Sequence, residues 1–176
     1  MVLSLTTEQL ITKIGAIKSG ERILLSGIIY TARDAAHRRM AMLIAEGKPL
    51  PFPVKNSIIY YCGPTPPKPG EAIGSCGPTT SSRMDPYTPM MLEQGVKALI
   101  GKGTRSAAVA EALVKYGALY LVATGGAGAL LSRRVRGAVP VAFEDLGPEA
   151  IFRLEVSDFP LIAAMDGTGN NIFERK

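Results

Sequence analysis

The chain has 176 residues, 47% of them hydrophobic, enough for one sound core, whereas dividing it would leave two marginal halves. Aromatics at 6%, no tryptophan and a net charge of only +5 argue against a nucleic-acid binder, and no apolar run is long enough to span a bilayer. The two cysteines, Cys62 and Cys76, form no C-x-x-C pair, so neither a disulfide framework nor a self-contained metal site is expected, and three or four thiolates for an iron–sulfur cluster are lacking.

The first ten residues lack a basic n-region and a small-residue cleavage site, so they are not expected to be a secretory signal, and a cytoplasmic location is expected. Thr7 is placed to cap a helix that carries Leu10, Ile11, Ile14 and Ile17 on one face and ends near Gly20. Residues 21–30 read as a strand, with Gly27 marking a bend or bulge. Thr31 and Asp34 have capping-box spacing ahead of a helix over 34–46 that stops at Gly47. Two proline clusters, 49–53 and 63–70, bracket a strand at 57–61 and read as ordered loops. A polar segment, 74–87, comes next. Strand 97–100, helix 104–116 capped by Thr104, strand 118–123 and helix 127–134 follow, and 137–143, 150–156 and 160–165 complete the sheet. The alternation predicts an α/β domain with an open, mixed sheet over 1–176, without internal repeats.

The segment 74–87, G-S-C-G-P-T-T-S-S-R-M-D-P-Y, is the most telling. Arg83 offers a planar fork for a carboxylate, and Thr79, Thr80, Ser81 and Ser82 add short hydroxyl donors. The same residues are also ordinary turn formers. Arg33 stands where the strand yields to the helix, beside free N–H groups that favour an anion, or else tops an exposed helix. His37, the only histidine, lies one turn further on the same face and suits a proton relay or a support for Arg33. Lys102 sits between Gly101 and Gly103, which would let the backbone approach a ligand; alone, G-K-G is a surface turn. The run 124–128, T-G-G-A-G, is part of a dinucleotide fingerprint, but Leu131 replaces its third glycine, so tight strand–helix packing is the milder reading. Cys62 is expected to be buried, Cys76 to reach the rim of the site, and Asp85 to be a structural partner or helix cap.

The segment 77–85 resembles the G-P-T-T-x-x-R-M-D motif of the small-subunit (C-terminal) domain of iron–sulfur-dependent class I fumarases and L-tartrate dehydratases. Residues 27–39 (G-I-I-Y-T-A-R-D-A-A-H-R-R), 101–103 (G-K-G), 144–151 (E-D-L-G-P-E-A-I) and 166–171 (D-G-T-G-N-N) are similar to the same family in the same order. The resemblance implies a three-layer β/β/α swivelling domain, the β subunit of a two-subunit hydro-lyase acting on fumarate and malate, or on L-tartrate. It further implies a [4Fe–4S] cluster held by an α-type partner and no metal on this chain, in a hetero-oligomer with room for homodimeric contacts. Arg33, Arg83, Lys102 and Thr80 would bind the dicarboxylate, and Thr79 would be a catalytic residue, orienting substrate or sharing the base's role with an aspartate of the partner. The motifs 144–149 and 166–171 match the family without any side-chain role that follows from sequence, subunit contacts being one option. Two rivals stand beside this reading: a stand-alone nucleotide-binding domain built on 125–128, and a lid for another enzyme with no residue at the chemistry.

Overall fold

The computed structural model describes residues 1–124 and 126–174. Strand β1 (Val2–Thr6) leads directly into helix α1 (Thr7–Thr12), and β2 (Arg22–Thr31) into α2 (Asp34–Ala45). Strand β3 (Ile58–Tyr60), α3 (Thr88–Glu93), β4 (Ala98–Gly101), α4 (Ala107–Tyr116), β5 (Leu119–Val122) and α5 (Gly128–Ser132) follow. The last two strands are β6 (Val135–Ala142) and β7 (Ile151–Met165).

Strands β1 to β5 run parallel in that order, and β7 pairs antiparallel with β2, β5 and β6. Because β7 joins β2 on one edge and β5 on the other, β2–β3–β4–β5–β7 close into a ring, with β1 and β6 as flanking strands.

Alternation along the strands separates two cores. Ile58, Tyr60, Ala98, Ile100, Leu119 and Leu121 face inward onto Ile23, Leu25, Leu154 and Phe159, forming a β/β core. Ile59, Leu99 and Tyr120 face outward onto Met40 of α2, Met91 of α3 and Leu113 of α4, forming a β/α core. The mixed α/β architecture expected from sequence is therefore present, and its layers are β/β/α.

Several boundaries differ for physical reasons. Alternation in 2–6 makes β1, so the α1 cap moves to Thr6, whose hydroxyl accepts from Gln9 N–H while the Gln9 side chain accepts from Thr6 N–H. The first helix ends at Thr12, and a 3-10 turn over Ile14–Ala16 takes the chain on towards Gly20. Thr31 does not cap α2. Its hydroxyl accepts from Phe152 N–H at 3.0 Å and so serves the sheet, and Arg33 stands at the cap position. Helix α4 starts later than expected, with Ser106 rather than Thr104 as its cap. The stretches 150–156 and 160–165 are one strand interrupted by a bulge: its register against β2 shifts between Leu25 and Gly27, where Asp158 has φ 50° and its N–H bonds to Ser26 Oγ.

The 166–171 motif acquires a role here. Asp166, 2% exposed, accepts from Ser19 N–H, Asn170 N–H and Nδ2, and Thr168 N–H and Oγ1, tying the end of β7 to the approach to β2. Burial opposes its charge, but the bonds from Ser19, Asn170 and Thr168 outweigh that and hold its pKa below the usual carboxylate range. Its stabilising contribution is therefore complete above about pH 4 and is lost as the pH falls further. Asp166→Asn should lower stability by about 2–4 kcal/mol at neutral pH, read by urea unfolding, and an unchanged midpoint would refute this role.

Candidate active site

The parallel strands deliver the candidate residues to one end of the sheet, the carboxyl ends where open α/β sheets place ligands. Strand β2 runs into Ala32–Arg33, β3 into Tyr61–Gly63, and β4 into Lys102. The adjoining loop is pinned between them: Thr79 N–H donates to the Tyr61 carbonyl at 2.7 Å, and Thr80 forms a parallel bridge with Lys102. Ser81 N–H donates to the Lys102 carbonyl, and Lys102 N–H donates back to Ser81 Oγ, both at 3.0 Å.

Arg33 and Arg83 meet across one carboxylate. Asp34 Oδ1 accepts from Arg83 Nε at 3.0 Å, while Asp34 Oδ2 lies 3.8 Å from Arg33 Nη2. Glu149 Oε1 lies 3.7 Å from Arg33 Nε, so the 144–149 motif, a 3-10 turn, supports the arginine from its other side. In the same turn Asp145 makes a two-pronged ion pair with Arg39 of α2. Gly63 lines the guanidinium so closely that a Cβ there would lie 3.0 Å from Arg33 Nη1. The Arg83 side chain is 53% exposed. Because Arg83 pairs with Asp34 through Nε, its two terminal nitrogens remain for a bidentate partner.

His37 lies beneath this surface with no exposure at all. Its Nδ1 is 2.8 Å from the Arg33 carbonyl, and its ring meets Tyr61 edge-on. Burial lowers its pKa from 6.5 to about 4; the Arg33 carbonyl opposes the shift, and the Arg105 charge adds to it. At neutral pH the imidazole is uncharged, and its Nδ1–H donates to the Arg33 carbonyl. The geometry thus gives His37 a grip on Arg33. The hydroxyl of Thr79 has no hydrogen-bond partner among the described residues and is available to a ligand.

Sequence reading missed Arg105. Its side chain is fully buried, bonded through Nε to Asp85 Oδ1 at 2.7 Å and through Nη2 to Thr88 Oγ1 at 2.6 Å. Asp85 is indeed a structural partner, its second oxygen accepting Ser106 N–H at 2.7 Å. Arginine is almost never fully buried unless paired, and nothing in the local pattern T-R-S-A marks this one.

Cys62 and Cys76 are both buried, with their sulfurs 3.3 Å apart, so Cys76 does not reach the rim. Their mutual hydrogen bond, with burial behind it, pushes the Cys62 thiol upward, against the thiolate a metal needs. Two such thiols do not fit an iron–sulfur cluster, and among the described residues no three His, Cys, Asp or Glu side chains are grouped to hold a metal ion. In the glycine run, Gly125 lies outside the described residues. Gly128 packs against the 74–78 loop, its carbonyl accepting Cys76 N–H, and a Cβ there would lie 3.0 Å from Gly77 N. Close packing accounts for that glycine.

A family model described as the fumarase C-terminus matches residues 1–176. The chain belongs to the fumarase C-terminus family. Relatives include fumarate hydratase 2 of Leishmania major, 39% identical over 158 residues, which cover 89% of this chain and 28% of that protein. Fumarate hydratase class I, anaerobic, of Escherichia coli K12 is 36% identical over 96% of this chain and 31% of its own length. A putative L(+)-tartrate dehydratase subunit beta of Methanocaldococcus jannaschii is 40% identical over 90% of this chain and 84% of its own length. This fumarase C-terminus chain therefore spans less than a third of those fumarate hydratases and most of the tartrate dehydratase subunit. Among its described residues, no helix is long and apolar enough to cross a membrane.

Proposed function

We propose that this chain is the β subunit of a hydro-lyase that interconverts fumarate and L-malate by adding or eliminating water. The observation that carries this reading is the convergence of Arg33 and Arg83 on one carboxylate, Asp34, at an exposed end of the sheet. A pair of cations that already shares a carboxylate is suited to a small dicarboxylate. In this reading Arg83 takes one carboxylate end-on through its terminal nitrogens, Arg33 takes the other, and Lys102 adds a point charge. Thr80 donates a hydroxyl, and Thr79 orients the substrate at the carbon that loses its proton. Charge that develops on the carboxylate as that proton leaves is met by fixed cations, the largest source of rate in such sites. His37 keeps Arg33 in place from below.

The [4Fe–4S] cluster of this reading belongs to an α-type partner, since the thiols of this chain do not fit one. The 84% coverage of a relative named as a subunit beta supports such a division of the site between polypeptides. The reading also places the enzyme in the cytoplasm as a single-domain subunit of a hetero-oligomer, bound neither to nucleic acid nor to a membrane. A second substrate, L-tartrate, is favoured by the 84% coverage of the Methanocaldococcus jannaschii subunit. The test is anaerobic fumarate hydration by this chain, with and without its co-expressed large partner. Activity only in the mixture is the expected result. Turnover of L-tartrate alone would assign the second substrate, and full turnover by the partner alone would reduce this chain to a lid.

A further inference from the structure

We propose that Arg105 is the positioning residue of the anion clamp, a buried cation that never touches substrate but fixes Thr79, Arg83 and Lys102 relative to one another. The assignment to a clamp rests on the reading above; the contacts do not. The guanidinium lies between two tyrosine rings, with its carbon 5.2 Å from the Tyr61 centroid and 4.8 Å from that of Tyr120. Three of its neighbours, Tyr61, Asp85 and Tyr120, are each one step from a clamp residue. Tyr61 receives Thr79 N–H on its carbonyl and meets Arg105 Nη2 with its hydroxyl at 3.3 Å. Asp85, bonded to Arg105 Nε, lies two residues beyond Arg83, in the turn where Asp85 N–H donates to the Ser82 carbonyl. Tyr120 is hydrogen-bonded to Ser81 Oγ at 2.9 Å and to the Gly103 carbonyl at 2.8 Å, on either side of Lys102, and Ser81 Oγ holds Lys102 N–H.

These three routes come from three different segments: the end of β3, the 81–85 turn and the face of β5. One planar cation stacked and forked among them holds their spacing in a way that separate pairs would not. Lysine cannot reproduce this, because an ammonium has no face to stack and no fork to divide between Asp85 and Thr88. Nη1 of Arg105 has no partner among the described residues, so the network tolerates an unsatisfied donor to keep the cation there.

The experiment is amide hydrogen exchange on the full chain, paired with steady-state kinetics of its complex with the large partner, for Arg105→Lys. Exchange in 79–84 and 101–104 should quicken about tenfold or more, with the interior of β4 and β5 unchanged. The kcat for fumarate should fall about tenfold, with KM changed by less than about threefold, as expected when cations that meet charge developing in the transition state lose their spacing. Unchanged exchange in both segments of the folded variant would overturn the proposal. Should Arg105→Lys fail to fold, Tyr120→Phe keeps the ring under the guanidinium and removes only the hydroxyl. Faster exchange at 101–104 would then support the relay, and unchanged exchange would refute it. Absence of turnover in the wild-type complex would sink the hydro-lyase reading alone, since the exchange measurement decides Arg105 without substrate.

Discussion

Arg83→Ala should lower kcat/KM for fumarate at least about a hundredfold, a loss of about 3 kcal/mol, while the chain still associates with its large partner. Arg83 is 53% exposed and, among the described residues, pairs with the part-exposed Asp34, so removing it should cost the fold little. What is lost is a two-pronged donor at the place where charge grows during the reaction. The variant Arg83→Lys keeps the charge without the fork and should recover only part of the activity. Kinetics on the reconstituted complex, with association checked by size-exclusion chromatography, separates the two effects. Wild-type kcat/KM in Arg83→Ala would remove this residue from the site.

His37 should impose a stability gradient of about 3 kcal/mol between pH 6.5 and pH 4. The sign follows from its burial. The folded chain resists the proton down to about pH 4, whereas the unfolded chain accepts it near 6.5. Between these values the unfolded state binds more protons, so the folded state loses stability as the pH falls through the window. Asp166 acts lower, below about pH 4, and does not overlap. Urea unfolding at half-unit pH steps should show this slope in the wild type and its loss in His37→Gln, which keeps a donor for the Arg33 carbonyl. Parallel slopes in the two proteins would show that the folded state admits the proton at its ordinary pKa.

Local pattern carried most of the elements because apolar alternation and caps act over a few residues. Helix α2 and strands β2 to β5 lie within a residue or two of their expected places, whereas α4 starts three residues late. Short α3 falls in a stretch to which the sequence reading assigns no element; Pro89 stands in its first turn, where proline is welcome. The ring was not legible either: nothing local in 151–165 says that one strand will serve three others, and the Ser157–Asp158 bulge reads as a break. In the site, Arg83 and Lys102 stand out as charges in a hydroxyl-rich segment and between two glycines, and Arg33 as a charge where a strand yields to a helix. Their supports do not, because Glu149, Asp34 and Arg105 act through tertiary contacts spanning up to 116 residues, as between Arg33 and Glu149. His37 was placed on the right helix and near the right arginine. Its full burial depended on α2 packing over Tyr61 and Tyr87, which its own neighbours do not encode.

Strand β7 is the fifteen-residue piece that closes the ring, and its position in the sequence governs how the molecule can assemble. Its partners in β2 lie more than 120 residues earlier, so the decisive pairing is among the most remote in the chain. Strands β1 to β5 can collapse locally with their helices as they emerge, yet β2 and β5 keep open edges until residues 151–165 arrive. The rate-limiting step should therefore be late and non-local, with a partly built sheet exposed beforehand to pairing with other chains. A nascent chain stopped at residue 150 would carry every arginine and lysine of the clamp and still have no closed frame to hold them.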